Sequence, residues 1–501
     1  MNTIPLPIAN GFYVSDALPI SNQQCVNLKP NIPQADTVTD ANLFNTEGLR
    51  ELIDLSNLSD TCRGLHVMAG IPYCVIGQKL YRINRTFVDS EPQYSSDDLG
   101  TIEGQSRVWM ADNGTQLCVV AVPDDITAGK SYIFTNDPDT LTQIIDADFD
   151  GPAGSVVYTD GFFVFHKHGD KKFFNSAIND GLAYDALDFT QADADQGNIE
   201  GLAVNQDQLY VLSKNTVKLY RNIGRSPAPF QAIPGAHDIG VTAPQSITKF
   251  AGNIAFVGSA VNESPSVWLV NGPTKTKLST TAIDNELSKL TDTEAQALST
   301  FVYGESGSFF IGITTPITTY VYDLTTQRWH ERQSVSGETM TKYRASHAVT
   351  AYGLLMVGDN QGGKIGALDE CCFTEYGVLV RRFITTKPFD NMGGDVRASR
   401  IEMVVENGVG LTADVDVIAG YFENTPQMVT GGADPQITLS WSDDGGRNFK
   451  GYLSRSMGKI GEFKVRPTWR RMGRITRSRV LRFEVSSPTK VTLIKAEAIV
   501  K

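Results

Sequence analysis

The chain is short of the groups that most enzymes and membrane proteins carry. Only six histidines occur in 501 residues, which leaves little acid–base capacity near neutral pH. No G-x-S-x-G elbow, P-loop, H-E-x-x-H pair or dinucleotide fingerprint is present. The six cysteines, Cys25, Cys62, Cys74, Cys118, Cys371 and Cys372, have neither zinc spacing nor a dense disulfide framework. They read as small buried hydrophobes in a reducing compartment. No apolar run approaches the ~18 residues that span a bilayer. The opening MNTIPLPIANGFYVSDALPISNQQ lacks a basic n-region and an apolar h-region, so no signal peptide is expected and synthesis in the cytosol is. Positive charge is in deficit as well. A net charge of −12 argues against nucleic-acid binding by bulk electrostatics. Helical periodicity is scarce. The best stretch is 281–299, with Asn285, Leu287, Leu290 and Leu298 on one face and Thr291-Asp292-Thr293-Glu294 as a cap or second helix start.

What the sequence has instead is a repeated strand pair. Short apolar hairpins are read at 73–83, 117–134, 161–174, 209–220, 254–270, 309–322 and 354–368. A strand-built period of about 45 residues is the signature of a β-propeller. One hairpin cannot bury its own apolar face, so neighbouring sheets must stack around an axis. Turn signals sit at Gly77-Gln78, Gly169-Asp170 and Lys214-Asn215. The unit ending in Tyr322-Asp323-Leu324 and Trp329 is kelch-like, with the tryptophan expected between sheets. The predicted fold is all-β: a propeller of six or seven blades over 51–370, preceded by an extended proline-bearing arm over 1–50. A C-terminal antiparallel, sandwich-like β-domain follows over 371–501. The blade count stays open at this stage, because the first and last strands can close one blade together.

Charge is unevenly placed. From Arg447 to Arg482 the chain is rich in arginine and lysine against a single acid, Glu462, whereas Asp137–Asp195 is acidic. Unlike patches on one chain suit docking or self-association. Within the basic stretch, Trp469, Arg470, Arg471, Arg474 and Arg477 are the candidate interface residues. The competing readings are a solvated strand face and direct contact with DNA phosphates.

Three smaller constellations carry weaker signals. His166 and His168 lie two apart in a strand and could begin a metal site, but no third ligand is identifiable, and a polar strand face is the plainer reading. Asp193-Ala-Asp195-Gln-Gly197 faintly resembles a calcium loop, yet Glu200 comes too early to close it, so a solvated acidic loop is expected. Ser442, Asp444, Gly446 and Phe449 fit the S-x-D-x-G-x-x-F pattern of an Asp-box, a hairpin turn stabilised by its own side chains with the aromatic tucked inward. Asp-boxes occur in sialidase propellers. The box is structural, however, and glycoside hydrolysis needs two placed carboxylates. No catalytic residue, cofactor or metal is therefore assigned.

Several segments, in order along nearly the whole chain, resemble the tail-hub proteins of short-tailed bacteriophages, also called tail accessory or packaged-DNA-stabilisation proteins. They are SNQQCVNLKP with ANLFNTEGLREL, RGLHVMAGIPYCVIGQKLYRI, YDALDFTQADADQGNIEGL, VKLYRNIGRSPAPFQAIPGAHDIGVTAPQSI, LSWSDDGGRNF and WRRMGRI. Asn27 and Leu28 match the N-terminal signature, Pro234, Gly235 and Ala236 a central turn, and Trp469, Arg471, Gly473 and Arg474 the terminal motif. The DFTQADAD segment departs from the family pattern by carrying Asp where Ser, Glu and Pro are expected. The resemblance implies a non-enzymatic virion protein of the tail. Copies would form a sixfold ring below the portal and its adaptor, close the head after packaging and continue the DNA channel. The ring would dock needle, fibre or spike proteins, and DNA would pass without sequence-specific contact. The alternatives are a propeller binding module and an Asp-box glycosidase acting on bacterial surface glycans.

Overall fold

Each apolar hairpin forms the middle strand pair of a small antiparallel sheet. A computed structural model describes residues 2–55, 60–122, 129–192, 197–390, 396–422 and 425–500. Blade two shows how the sequence builds the repeat. Its strands Val108–Asp112, Gln116–Ala121, Lys130–Asn136 and Asp139–Gln143 pair in chain order. Successive side chains of a strand point to opposite faces. Leu117 and Val119 therefore enter a core shared with Tyr73, Val75 and Leu80 of blade one. Cys118 and Val120 enter the next, shared with Val156, Phe163 and Phe165 of blade three. Both faces are buried, so the strand reads as an unbroken apolar run rather than an alternation.

The same construction repeats at residues 62–101, 108–143, 153–191, 199–232, 240–277 and 299–342. The seventh blade takes Ala345–Ala351, Leu354–Asp359 and Lys364–Asp369, and its outer strand is Gly48–Asp54 from the other end of the repeat. Seven blades are thus seen among the described residues. The ring closes between Cys62, Cys74 and Ile76 of blade one and Met356 and Ile365 of blade seven. The closing strand is held by backbone pairing from Lys364↔Asp54 to Asp369↔Gly48. Ion pairs of Arg50 with Asp369 at 3.0 Å and Lys364 with Glu51 at 2.6 Å add to it. Such exposed pairs each contribute less than about 1 kcal/mol, so hydrogen bonding and burial of Leu49 do most of the closing.

Between blades five and six the expected helical insertion is present as two short helices, α1 (Thr281–Ser288) and α2 (Asp292–Gln296). The Thr291 hydroxyl accepts from the Glu294 amide, and the Glu294 carboxylate accepts from the Thr291 amide, which is a capping box. Leu287 and Leu298 of the expected face are buried, and Ala282 and Ile283 join them against the core of blades five and six. Trp329 packs in the same core.

Beyond the propeller, two sheets face each other over one apolar core. One runs Thr468–Ile475, Val396–Val405, Thr492–Val500, Asn42–Asn45, Leu28–Asn31. The other contains Cys25–Val26, Arg382–Thr385, Ser478–Val485, Gln436–Ser442 and Lys450–Ser456 in that order. The first 50 residues, expected as an extended arm leading into the first blade, are instead divided: Asn2–Leu6, Cys25–Val26, Leu28–Asn31 and Asn42–Asn45 join the sandwich sheets, Phe12 packs in the core of blades five and six, and Gly48 begins the outer strand of blade seven. Asn2–Leu6 pairs with Ala496–Val500, and Cys25 and Val26 pair with Ile384 and Phe383. Their partners lie hundreds of residues away, so no local periodicity announced them.

Asn27 fastens the two units together. It is fully buried with φ 55°, a left-handed conformation that asparagine tolerates better than most residues. Its side-chain amide donates to the carbonyls of Gln333 in blade six (2.9 Å) and Arg381 beside the sandwich (2.8 Å). Its side-chain oxygen accepts from the Gln333 amide at 3.0 Å. Beside it, buried Arg332 donates to the Glu47 carboxylate at 3.2 Å and to the Glu47 carbonyl at 2.6 Å.

Of the six cysteines, Cys25, Cys62, Cys74 and Cys118 are buried as expected. Cys371 is exposed and Cys372 half-buried, because they fall in the turn between propeller and sandwich rather than in a strand.

Candidate assembly surface

The basic stretch separates into two groups once folded. Among the described residues Thr468–Ile475 is an edge strand, paired on one side only, with Val396–Val405. Its register slips by one residue between Ala398↔Gly473 and Arg400↔Arg470, which is a β-bulge. Arg471 sits in the bulge at φ 60°. The extra residue changes the alternation: Trp469, Met472 and Ile475 point inward, while Arg470, Arg471 and Arg474 are exposed. Arg477 is exposed in the turn that follows. Across the ladder, Arg397 and Arg400 stand opposite Arg474 and Arg470, which widens the basic face. Bulges and inserted charge are how open sheet edges are kept from indiscriminate pairing.

Trp469, grouped with these arginines in the sequence, belongs to the core. It is fully buried against Phe483, and its indole N–H donates to the Leu453 carbonyl at 2.7 Å. Alternation with Arg470 and Arg474 outward already turns Trp469 inward; the bulge acts one step further on, where it exposes Arg471 and buries Met472.

The second group of cations is structural. Arg479 is buried, donates through Nε to Asp443 at 2.6 Å, and donates to the Met472 and Arg474 carbonyls. It ties the edge strand to the Asp-box turn. Arg482 lies 3.7 Å from the centroid of Phe449 and 5.0 Å from that of Phe383.

The Asp-box residues form the expected turn. The Ser442 hydroxyl donates to the Asp444 carboxylate and accepts from the Gly446 amide at 2.9 Å. Asp444 also accepts from the amides of Arg447 (2.9 Å) and Asn448 (3.0 Å). The Ser442 hydroxyl and these amides hold its carboxyl well below the usual range. Its acceptors are committed to the turn, which is a structural role. Gly446, at φ 92°, has a second reason to be glycine: a Cβ there would meet Asn22 Nδ2 at 1.9 Å. Phe449, expected to tuck into the core, is half-buried under Arg482 instead.

The opposite charge lies on blades two and three. Asp137, Asp148 and Asp185 are exposed there and Asp139 pairs with Arg82 of blade one at 2.9 Å, while Ile145 (84 % exposed), Ile178 (67 %) and Leu187 (63 %) are exposed on the same two blades. Asp150 is engaged internally by Lys167 and Lys172. Asp193 and Asp195 lie outside the described residues.

The two histidines do not converge on a ligand. His166 is buried, with Nδ1 2.7 Å from the Ser155 hydroxyl, and burial lowers its pKa to about 3. His168 lies just past the strand end, half-buried. Among the described residues no group of three His, Cys, Asp or Glu side chains could hold a metal ion, and no helix is long and apolar enough to cross a membrane.

A seven-bladed propeller joined to a β-sandwich, with a basic sheet edge and exposed acids on two blades, is a scaffold of the kind that assembles with other chains. Two family profiles divide the chain at the same joint. The one described as "Bacteriophage P22 Gp10, beta-propeller" matches residues 4–372, and "Bacteriophage P22 Gp10, beta-sandwich" matches residues 386–501. The chain belongs to this family of phage structural proteins of the tail, which stabilise packaged DNA. No curated protein matches it. Solved structures resemble it in part. The extracellular domain of a hybrid two component system from B. thetaiotaomicron is 12% identical with a TM-score of 0.43. That match covers 70% of this chain and 45% of the other, so this chain spans less than half of that one. The N-terminal domain of Nup159 is 11% identical with a TM-score of 0.39, covering 69% and 99% of the two chains. The computationally designed Ika8 protein is 13% identical with a TM-score of 0.35, covering 64% and 99%.

Proposed function

We propose that this chain is the ring-forming subunit of a tail hub. Copies assemble with sixfold symmetry below the portal and its adaptor. The ring closes the head after packaging, continues the DNA channel and presents loops to needle, fibre or spike proteins. The observation that carries the reading is the exposed arginine face of the bulged edge strand 468–475 on the sandwich, set against the exposed acidic and apolar side chains of blades two and three.

Two unlike patches on one subunit make a heterologous interface, which generates a ring when its rotation closes. Arg470, Arg471, Arg474 and Arg477 are the residues assigned to that contact. A net charge of −12 suits a conduit that must release DNA rather than hold it. Rigid sheets with loops on two faces suit a part that joins one component above to another below. The role asks for no reaction, and the family's structural character supports a non-enzymatic part of the virion.

The test is the mass of the purified protein by light scattering, alone and with the cognate portal–adaptor complex. A ring in either condition supports the proposal. A monomer that ignores the adaptor overturns it.

A further inference from the structure

The propeller axis holds a feature that assembly through the sandwich edge does not use. A cavity of about 460 Å³ opens among residues of blades one, two, five, six and seven. Arg107, Lys249, His66, His347 and Gln245 are among its lining residues. Arg107 leads off the inner strand of blade two. Its Nε donates to His347 Nε2 at 3.1 Å, and its Nη2 donates to the Ser346 carbonyl at 3.2 Å. Its Nη1 is buried without a hydrogen-bond partner.

The charges around Arg107 do not balance. His347 accepts from Arg107, and its Nδ1 lies 2.8 Å from the Ser346 hydroxyl, so Nδ1 carries the single ring proton and the imidazole is neutral. Asp112 is held by His66 at 2.7 Å. Among the described residues no carboxylate acts on Arg107, and burial lowers its pKa to about 10. Lys249 is exposed and adds a second cation to the wall. A desolvated guanidinium without a counter-charge is unfavourable unless an anion joins it. The cavity has the volume of an ion or small-molecule site rather than of a polymer groove.

We propose that the axial cavity is a binding site for a small free oxyanion, of which inorganic phosphate is the test case, with Arg107 and Lys249 as its charged ligands. Gln245, Thr248 and Thr300 supply neutral polar groups on the same wall.

The experiment titrates the full chain with sodium phosphate by calorimetry and follows its unfolding temperature, against sodium chloride at matched ionic strength. Saturable heat and a rise in unfolding temperature specific to phosphate are expected, because a ligand bound only by the folded state stabilises it. Arg107→Met should raise the dissociation constant at least tenfold, and Lys249→Gln several-fold. Lys249 is exposed, so its variant folds and decides the matter if Arg107→Met does not. Absence of a phosphate-specific effect in the wild type overturns the proposal, as does an unchanged constant in Lys249→Gln.

Discussion

Glu331 offers a test of how the propeller is joined to the sandwich. It lies on the outer strand of blade six, opposite Val26 in the single bridge between that strand and the N-terminal segment. It is 3 % exposed, its Oε2 has no partner, and burial raises its pKa to about 8, with Glu286 adding to the rise and the Cys25 amide opposing it. The folded chain therefore keeps a proton that the unfolded chain has released. Its contribution is neutral below the ordinary carboxyl value and becomes destabilising as pH rises toward about 8. At pH 7 the cost is about 3 kcal/mol. Glu331→Gln removes the titration but leaves a side-chain amide short of a partner, which costs about 1–2 kcal/mol. A net gain of about 1–2 kcal/mol at pH 7 is expected, with little gain or a small loss at pH 4.5. The assay is urea unfolding of both proteins at pH 4.5, 6 and 8. Buried His330 and Glu305 titrate alike in both, so the difference isolates Glu331. Stability curves that stay parallel across this range would refute the argument.

Four further outcomes follow from the same geometry. Arg471→Glu with Arg474→Glu should fold and weaken ring or tail assembly, seen as lost mass in light scattering; unaltered assembly and infectivity would remove both residues from the contact. Asn27→Ala deletes three hydrogen bonds across the joint and should cost about 2–3 kcal/mol, with faster hydrogen exchange in the strand Arg328–Ser336 as its local signature. Phe165→Ala, in the core between blades two and three, should cost about 3–5 kcal/mol in chemical denaturation without altering the sandwich. Asp444→Ala should lower the unfolding temperature through loss of its turn hydrogen bonds, and any effect it had on glycan turnover would contradict the structural assignment.

The legible parts of the fold were those whose cause is local or repeated. All seven hairpins read from the sequence are middle strand pairs, because strands buried on both faces leave unbroken apolar runs. The Thr291–Glu294 capping box and the Asp-box turn were equally plain, since their partners are three or four residues apart. Outer strands were not. Glu91–Thr101, EPQYSSDDLGT, is half exposed and polar, and only its pairing with Lys79–Val88 makes it a strand. On the proposed assembly surface, the exposed arginines were visible as composition. The exposure of Arg471 beside buried Met472 and the structural duty of Arg479 were not, because a one-residue bulge and a contact to Asp443 set them. Arg107 carried no signal at all: it is one arginine beside a strand until five blades enclose it.

The sequence by itself determined the repeat, the all-β class, the change of architecture near residue 370 and the uneven charge, since each depends on which residues are near one another along the chain. Only the tertiary structure decided that Gly48–Asp54 closes the seventh blade, that Asn2–Leu6, Cys25–Val26, Leu28–Asn31 and Asn42–Asn45 complete the sandwich, and that Asn27 and Glu331 sit at the joint. Those pairings span up to nearly the full length of the chain. Strand edges offer the same N–H and C=O groups to any partner. Which partner wins is set by global burial, and no stretch of sequence contains that information alone.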